Sequence, residues 1–235
     1  MDFELETRQQ LAMVYRLLAH YGWDDLVYTH VSAKIPGTET FLINHYGYMF
    51  NEVTASSLVK VDLHGNVIGP GQINPAGYII HSAIHEARPE VQCVLHTHTP
   101  AGVAVSTDKD GLWPISQPAL LVIDSLGYHD YQGLVLDPSE KIKLVENLDD
   151  NDFMMLRNHG LLTVGNNIPD CFLNMRKLQN ACEIQVLSDY DRAIRIDHSV
   201  IEMNKAKAKF LNSRNDIPWQ ALTRLADRLY PDYKQ

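Results

Sequence analysis

Cysteine is scarce, with three in 235 residues. Cys93, Cys171 and Cys182 make no CxxC pair, are odd in number and stand inside apolar periodic segments, which fits reduced core thiols rather than a disulfide framework. Positive charge is also thin. With 20 Lys and Arg against 29 Asp and Glu the formal charge is −9, and no basic cluster stands out. A nucleic-acid or anionic-membrane partner therefore lacks its electrostatic footprint. Long apolar runs are missing too, since no window reaches the ~18 residues of a membrane span. The opening MDFELETRQQ is acidic and amphipathic, without the basic and apolar regions of a signal peptide. These absences lead us to expect a soluble cytoplasmic protein with neither nucleic acid nor membrane as partner. What is present in quantity is apolar side chain, 45% of the chain, enough for a sizeable core. With no internal repeat, low-complexity tract or linker, one domain is expected across residues 1–235. Its C-terminal helices, 200–229, are expected to pack on that domain or on a neighbouring subunit.

Apolar residues Leu11, Val14, Leu17, Leu18 and Tyr21 recur at helical spacing and predict a helix from Leu5 to Tyr21, closed by Gly22. Short β-branched and aromatic runs predict strands from Leu26 to Ile35 and from Thr40 to Asn44, separated by Pro36-Gly37. A further strand, Leu58 to Leu63, turns through His64-Gly65-Asn66 into Val67-Ile68. A helix from Ala76 to Ala87 is stopped by Arg88-Pro89, because the residue before proline is driven out of the α region. Val91 to Leu95 is short and almost wholly apolar, the mark of a strand covered on both faces. Helices are predicted from Pro100 to Val105 and from about Pro118 to Ser125, and Leu126 to Gly133 reads as an aromatic-rich loop. Asp137-Pro138-Ser139-Glu140 is a helix start, with an Asx cap, a proline at the first helical position and a glutamate three residues after the cap. That helix ends near Leu148. Strands at Phe153 to Arg157 and Leu161 to Val164 precede a long helix from Pro169 to about Tyr190, then helices at Val200 to Leu211 and Trp219 to Leu229. The β-α-β alternation predicts a layered α/β sheet.

The chemistry gathers in histidine. Val94 to Thr99 reads VLHTHT, and alternate residues of a strand share a face, so His96 and His98 place two imidazoles side by side. An isolated His-x-His is more often a pair of satisfied polar residues at a strand end than a ligand pair. His159 adds a third imidazole, between an apolar strand and a glycine. Three neutral imidazoles leave a coordination position open, as in catalytic zinc sites. Among the other histidines, His129, beside Asp130 in Tyr-His-Asp-Tyr, is the candidate for proton transfer, with a hydrogen-bonded loop histidine as the equal alternative. His81 is expected to support the metal ligands and His85 to lie on the surface. His30 and His45 are weaker candidates for a pocket wall, and His20, His64 and His198 read as solvent-side residues. Tyr230 and Tyr233 read as part of a frayed terminus, with closure over a neighbouring subunit's site as the weaker alternative.

Three stretches resemble one family, the class II aldolases and the head domain of adducin: NPAGYIIHSAIHEARPEVQCVLHTHTPAGVAVS (Asn74 to Ser106), GYHDYQG (Gly127 to Gly133) and LRNHGLLTVG (Leu156 to Gly165). The resemblance runs from the first helix to about Tyr190. It implies an α/β fold, three-layer αβα with a mixed central β-sheet, and a homotetramer with intersubunit active sites. It maps the family's metal ligands onto His96, His98 and His159, for a divalent metal, zinc foremost, with manganese, cobalt or iron as alternatives. Asn44, Gly47, Asn74 and Gly77 fall in its substrate-binding segments, and Tyr46, beside Gly47, becomes a candidate catalytic phenol. Two departures accompany the match. The acid/base glutamate of the sugar-phosphate aldolases aligns with Gly77, and their phosphate-holding hydroxyl residues align with Tyr46, Pro75 and Ala76, with only Gly47 retained. Adducin-like sequences share the Asn-x-Ala-Gly pattern. The expected function is metal-dependent cleavage of a carbon–carbon bond in a small hydroxy-carbonyl compound through a metal-stabilised enolate. The alternatives are a decarboxylase or epimerase acting on an unphosphorylated substrate, and a non-catalytic adducin-like binding module.

Overall fold

The computed structural model describes residues 2–133, 140–212 and 214–235. The first helix, α1 (Phe3–Tyr21), begins where the Asp2 carboxylate accepts from the Glu4 and Leu5 amides. It ends at Gly22, whose φ of +67° suits a residue without Cβ. Leu11, Val14, Leu17 and Leu18 on this helix are fully buried, as their spacing predicts. Among the described residues eight strands follow: β1 (His30–Lys34), β2 (Thr40–Ile43), β3 (Val59–Asp62), β4 (Val67–Ile68), β5 (Cys93–Thr97), β6 (Leu126–His129), β7 (Phe153–Leu156) and β8 (Gly160–Gly165). They form one sheet in the order β4-β3-β2-β1-β5-β8-β7-β6. Only the β6–β7 pair is parallel, so the sheet is mixed.

Helices cover both faces. The remaining ones are α2 (Pro75–Ala87), α3 (Pro100–Ser106), α4 (Gln117–Leu120), α5 (Glu140–Leu148), α6 (Ile168–Val186), α7 (His198–Asn212) and α8 (Asp216–Leu229). On one face, Val31 and Ala33 of β1 and Cys93 and Leu95 of β5 join a core with α1 and with Phe172, Met175 and Leu178 of α6. On the other, Val94 of β5 and Leu162 and Val164 of β8 pack against Ile80 and Ile84 of α2 and Leu144 and Leu148 of α5. The architecture is the three-layer αβα arrangement with a mixed sheet. Strand alternation places His30 and Ser32 of β1, and His96 of β5, on the α2 face. The three cysteines are free and buried, as expected. No helix among the described residues is long and apolar enough to cross a membrane.

Three expectations need correction. Leu126 to Gly133 does not begin as a loop: its first four residues are β6, paired in parallel with β7 from Leu126↔Phe153 to His129↔Leu156. The glycine that suggested a loop is there because the strand passes close to α5, and a Cβ at Gly127 would lie 2.5 Å from the Asn147 carbonyl oxygen. The first strand is also shorter than predicted, since Leu26 takes a φ of +48° and extended pairing starts only at His30. The tail is not frayed. Tyr233 is buried, its carbonyl accepts from the Ala55 amide at 2.8 Å, and Asp232 pairs with buried Arg16 at 2.8 Å. The predicted helix start at Asp137-Pro138-Ser139 lies outside the described residues.

One hydroxyl ties α1 to the sheet. Tyr15 Oη accepts from the Val31 amide at 2.7 Å and the Asn44 amide at 3.2 Å, and its single proton has the Val31 carbonyl at 2.5 Å and Asn44 Oδ1 at 2.9 Å as acceptors. Burial pushes this phenol well above its ordinary pKa, so the hydroxyl stays protonated. Tyr15→Phe removes the oxygen and leaves polar groups in the core short of a partner. Stability is expected to fall by about 1–3 kcal/mol, read as a lower urea midpoint at unchanged slope.

Candidate metal centre

The candidate site is built where the C-terminal end of β5 meets the N-terminal end of β8. These strands are antiparallel, with His96↔Leu162 and Thr97↔Leu161 in register. The chain between β7 and β8 turns through Asn158 (φ +58°) and is closed by the His159 amide donating to the Leu156 carbonyl at 3.0 Å. Gly160 lets the two strands approach, because a Cβ there would lie 2.3 Å from the Thr97 carbonyl oxygen. Thr97 points to the opposite face, and Thr99 caps α3 and donates to Gln179 at 2.6 Å. His96, His98 and His159 are thereby left facing one another.

Nε2 of His96 lies 2.8 Å from Nε2 of His98, which lies 3.0 Å from Nε2 of His159. The other ring nitrogens decide what these atoms can do. His96 Nδ1 is 2.9 Å from the Leu161 carbonyl, and His98 Nδ1 is 3.0 Å from the Asp25 carboxylate. Both partners only accept, so each Nδ1 carries the proton and each Nε2 of a neutral ring presents a lone pair. Two such lone pairs 2.8 Å apart have no proton to share, and a cation between them resolves the contact. The donor set fits a divalent metal, and the acceptors on Nδ1 are the outer hydrogen bonds that orient ligating imidazoles. Burial holds His96 well below the ordinary histidine pKa, and burial with the neighbouring His98 pushes His159 down to about 4.

A cleft of about 550 Å³ opens over these rings, a size suited to a small molecule. Tyr46 and Asn74 line it, with Asp25, Tyr28, His30 and Tyr131. Asn74 also caps α2, accepting from the Ala76 amide at 3.1 Å. Gly77 lies directly beneath His30: a Cβ at this glycine would be 2.6 Å from His30 Cδ2. The remaining candidates fall elsewhere. Asn44 is buried against Tyr15, and neither it nor Gly47 lines the cleft. His129 stands in a smaller recess beside His159, with Arg157 and Tyr131, and its Nδ1 accepts from the side-chain Nδ2 of Asn147 at 2.8 Å.

Other histidines are redistributed relative to the sequence reading. His85 is buried rather than on the surface, because the His81/His85 face of α2 turns toward β1, where Ser32 gives it a polar partner. His81 bonds His30 at 2.7 Å rather than a member of the triad. His45 stacks on Tyr48 outside the cleft, and His20, His64 and His198 are exposed as expected. Asp25 had no signal in the sequence. It sits in an irregular segment, 73 residues from the histidine it orients.

A mixed sheet between helical layers, with converging imidazoles at a strand end, defines an αβα protein with a histidine-lined cleft. The model of the "Class II Aldolase and Adducin N-terminal domain" family matches residues 9–186. A Pseudomonas aeruginosa protein provisionally named as an aldolase class 2 protein is 50% identical over 99% of this chain and 93% of its own length. Rat alpha-adducin is 45% identical over 76% of this chain and 25% of its own. Among solved structures, an L-fuculose 1-phosphate aldolase from Glaciozyma antarctica superposes with a TM-score of 0.83 at 28% identity, covering 99% of this chain and 93% of that one. The chain belongs to the class II aldolase and adducin family.

Burying neutral imidazoles makes the metal-free protein acid-sensitive. His96 and His159 bind protons less readily when folded than the ordinary value near 6.5, so below that value the unfolded chain holds more protons. Stability present at pH 7 is therefore lost as pH falls from about 6.5 toward 4, by up to about 1.4 kcal/mol per pH unit for each such histidine. Urea midpoints of the metal-free protein at pH 7, 6 and 5 are expected to decline in that order, and a flat series would contradict the assignment.

Proposed function

We propose that this protein is a metal-dependent lyase of the aldolase type, cleaving a carbon–carbon bond in a small, unphosphorylated hydroxy-carbonyl compound. The observation that carries the reading is the convergence of three Nε2 atoms, two of them freed for coordination by acceptors on Nδ1. His96, His98 and His159 would hold the ion, with zinc foremost and manganese, cobalt or iron as alternatives. A bound divalent ion supplies Lewis-acid polarisation of the substrate's carbonyl and hydroxyl oxygens, an effect worth several kcal/mol of the barrier. Asp25 and the Leu161 carbonyl keep the ligand rings in the coordinating tautomer. The Tyr46 phenol and the Asn74 amide offer hydrogen bonds to substrate hydroxyls, and Ile80 supplies an apolar wall.

The unphosphorylated substrate is supported by the cleft's lining, which among the described residues includes no Lys or Arg. The same lining suits a decarboxylase or epimerase, whose substrates would share the hydroxy-carbonyl group. Half-exposed Tyr28 and Tyr131 at the cleft's mouth support the family's arrangement, a homotetramer with active sites between subunits. A single domain over 1–235 is supported by Trp219, Leu222 and Ala226 of α8 packing into the main core, and a cytoplasmic setting by the reduced thiols.

Protein purified without added metal is expected to carry about one divalent ion per chain. His96→Ala and His159→Ala are each expected to lose both the ion and turnover, and simple hydroxyketones to turn over faster than their 1-phosphates. Metal-free wild-type protein, or a His96→Ala variant with unchanged metal content and activity, would sink the proposal. The similarity to adducin gives the contrary outcome a definite form: an oligomer that binds small molecules without turning any over.

A further inference from the structure

Cleavage next to a carbonyl needs a group that takes a proton and returns it. Of the described side chains lining the cleft, the three triad imidazoles are committed to one another, and the only carboxylate among them, Asp25, is bonded to His98. That leaves one imidazole, His30, and three phenols. His30 packs beside His96, with ring centroids 5.3 Å apart, and its Nδ1 is bonded to His81 Nε2 at 2.7 Å. Its Nε2 has no hydrogen-bond partner among the described residues. The ring stands in the space that a side chain at position 77 would need, because a Cβ on Gly77 would lie 2.6 Å from its Cδ2 and 2.8 Å from its Nε2. Glycine at 77 and histidine at 30 therefore share one volume beside the triad.

Behind His30 runs a buried hydrogen-bonded chain. His81 Nδ1 bonds Ser32 Oγ, and Ser32 Oγ bonds His85 Nε2 at 2.8 Å. Each neutral ring carries one proton, and the serine hydroxyl one. The links can therefore be satisfied in two senses. In one, His30 donates from Nδ1 and shows a lone pair at Nε2; in the other, every donor is reversed and Nε2–H faces the cleft. The chain ends at His85 Nδ1, which is buried without a full hydrogen bond; the nearby Val91 backbone favours a proton there, which weights the first sense without removing the second.

We propose that His30 is the proton carrier of this site, occupying the space kept open by Gly77, and that His81, Ser32 and His85 are positioning residues that set its tautomer. This rests on the aldolase-type reading above. His30 Nε2 takes the substrate hydroxyl proton as the O–H electron pair closes to a carbonyl and the carbon–carbon pair moves onto the carbon beside the existing carbonyl. The Nε2–H then protonates that carbon, so atoms and charge balance with no further reactant.

The test uses the metal-loaded full chain and dihydroxyacetone in D2O, following exchange of the carbon-bound protons by NMR. His30→Asn keeps a donor where Nδ1 stood but cannot carry the proton. It is expected to retain metal content and a wild-type unfolding midpoint while losing about 10²–10⁴-fold in exchange rate, chiefly in kcat. Ser32→Ala is expected to lower kcat with KM unchanged and to shift the 15N resonances of the His30 ring, a change that simple loosening of the fold does not produce. Shared volume is tested without substrate: Gly77→Ala should lower the unfolding midpoint strongly, and much less when combined with His30→Ala. Exchange by the wild type that survives His30→Asn overturns the role of His30 and leaves the metal site standing. No exchange by metal-loaded wild type overturns the aldolase-type reading and this role with it.

Discussion

The structure turns on the antiparallel pairing of β5 with β8. Because the strands run in opposite directions, the end of β5, carrying His96 and His98, lies beside the start of β8, carrying His159 in the preceding turn. A parallel pairing would put the starts together and separate the third imidazole from the other two. The close contact of Gly160 with the Thr97 carbonyl allows this approach, and the alternation of β5 aims His96 and Val94 at α2 while Cys93 and Leu95 face α6. A one-residue slip in register would turn the histidines into the opposite layer.

The α2 face of the sheet changes character along its width. Under α2 and α5, residues of β5, β7 and β8 meet helical isoleucines and leucines in an apolar layer. Toward β1 the same layer becomes polar, with His30, Ser32 and His96 on strands and His81 and His85 on α2, all buried. Burying this many polar groups is tolerable because imidazole stays neutral when desolvated and still both donates and accepts. Burial accordingly holds His30 and His81 well below their ordinary pKa, and His85 at about 3. Lysine or glutamate in those positions would bury a full charge, at a desolvation cost that neutral imidazole avoids.

Periodicity made the long elements legible. Helices α1, α2 and α6 follow apolar spacing, and β5 and β8 follow short apolar runs, because each buries one stripe or two faces against a continuous core. The first strand's start and β6 did not show, since four residues with a glycine among them carry too little pattern to separate a strand from a loop. Of the site, His-x-His and Asn-His-Gly were visible because each is local. Asp25 was not, because its partner lies 73 residues away, and His30 showed only as a weak candidate for the pocket wall, because the His81 that it bonds lies 51 residues away and only the tertiary fold joins them. His85 was misread for a related reason: helical spacing shows that it shares a face with His81, but not whether that face meets solvent or a polar part of the sheet. The tail was misread because burial of Tyr233 depends on α1 and on the segment near Ala55, both distant in sequence.

Reading one position at a time makes Gly77 look like a loss. Judged by contacts, it is half of a pair, because no side chain fits at 77 while the His30 ring keeps its place. A glutamate there would need a smaller or displaced residue at 30, and His30 in its present place needs a glycine beneath it. The consequence is energetic as well as steric: a carboxylate beside the triad would add a negative charge to the three imidazoles, whereas a fourth neutral ring adds none. In the described lining of the cleft the one carboxylate, Asp25, is already engaged by His98, so no free negative charge faces the three imidazoles.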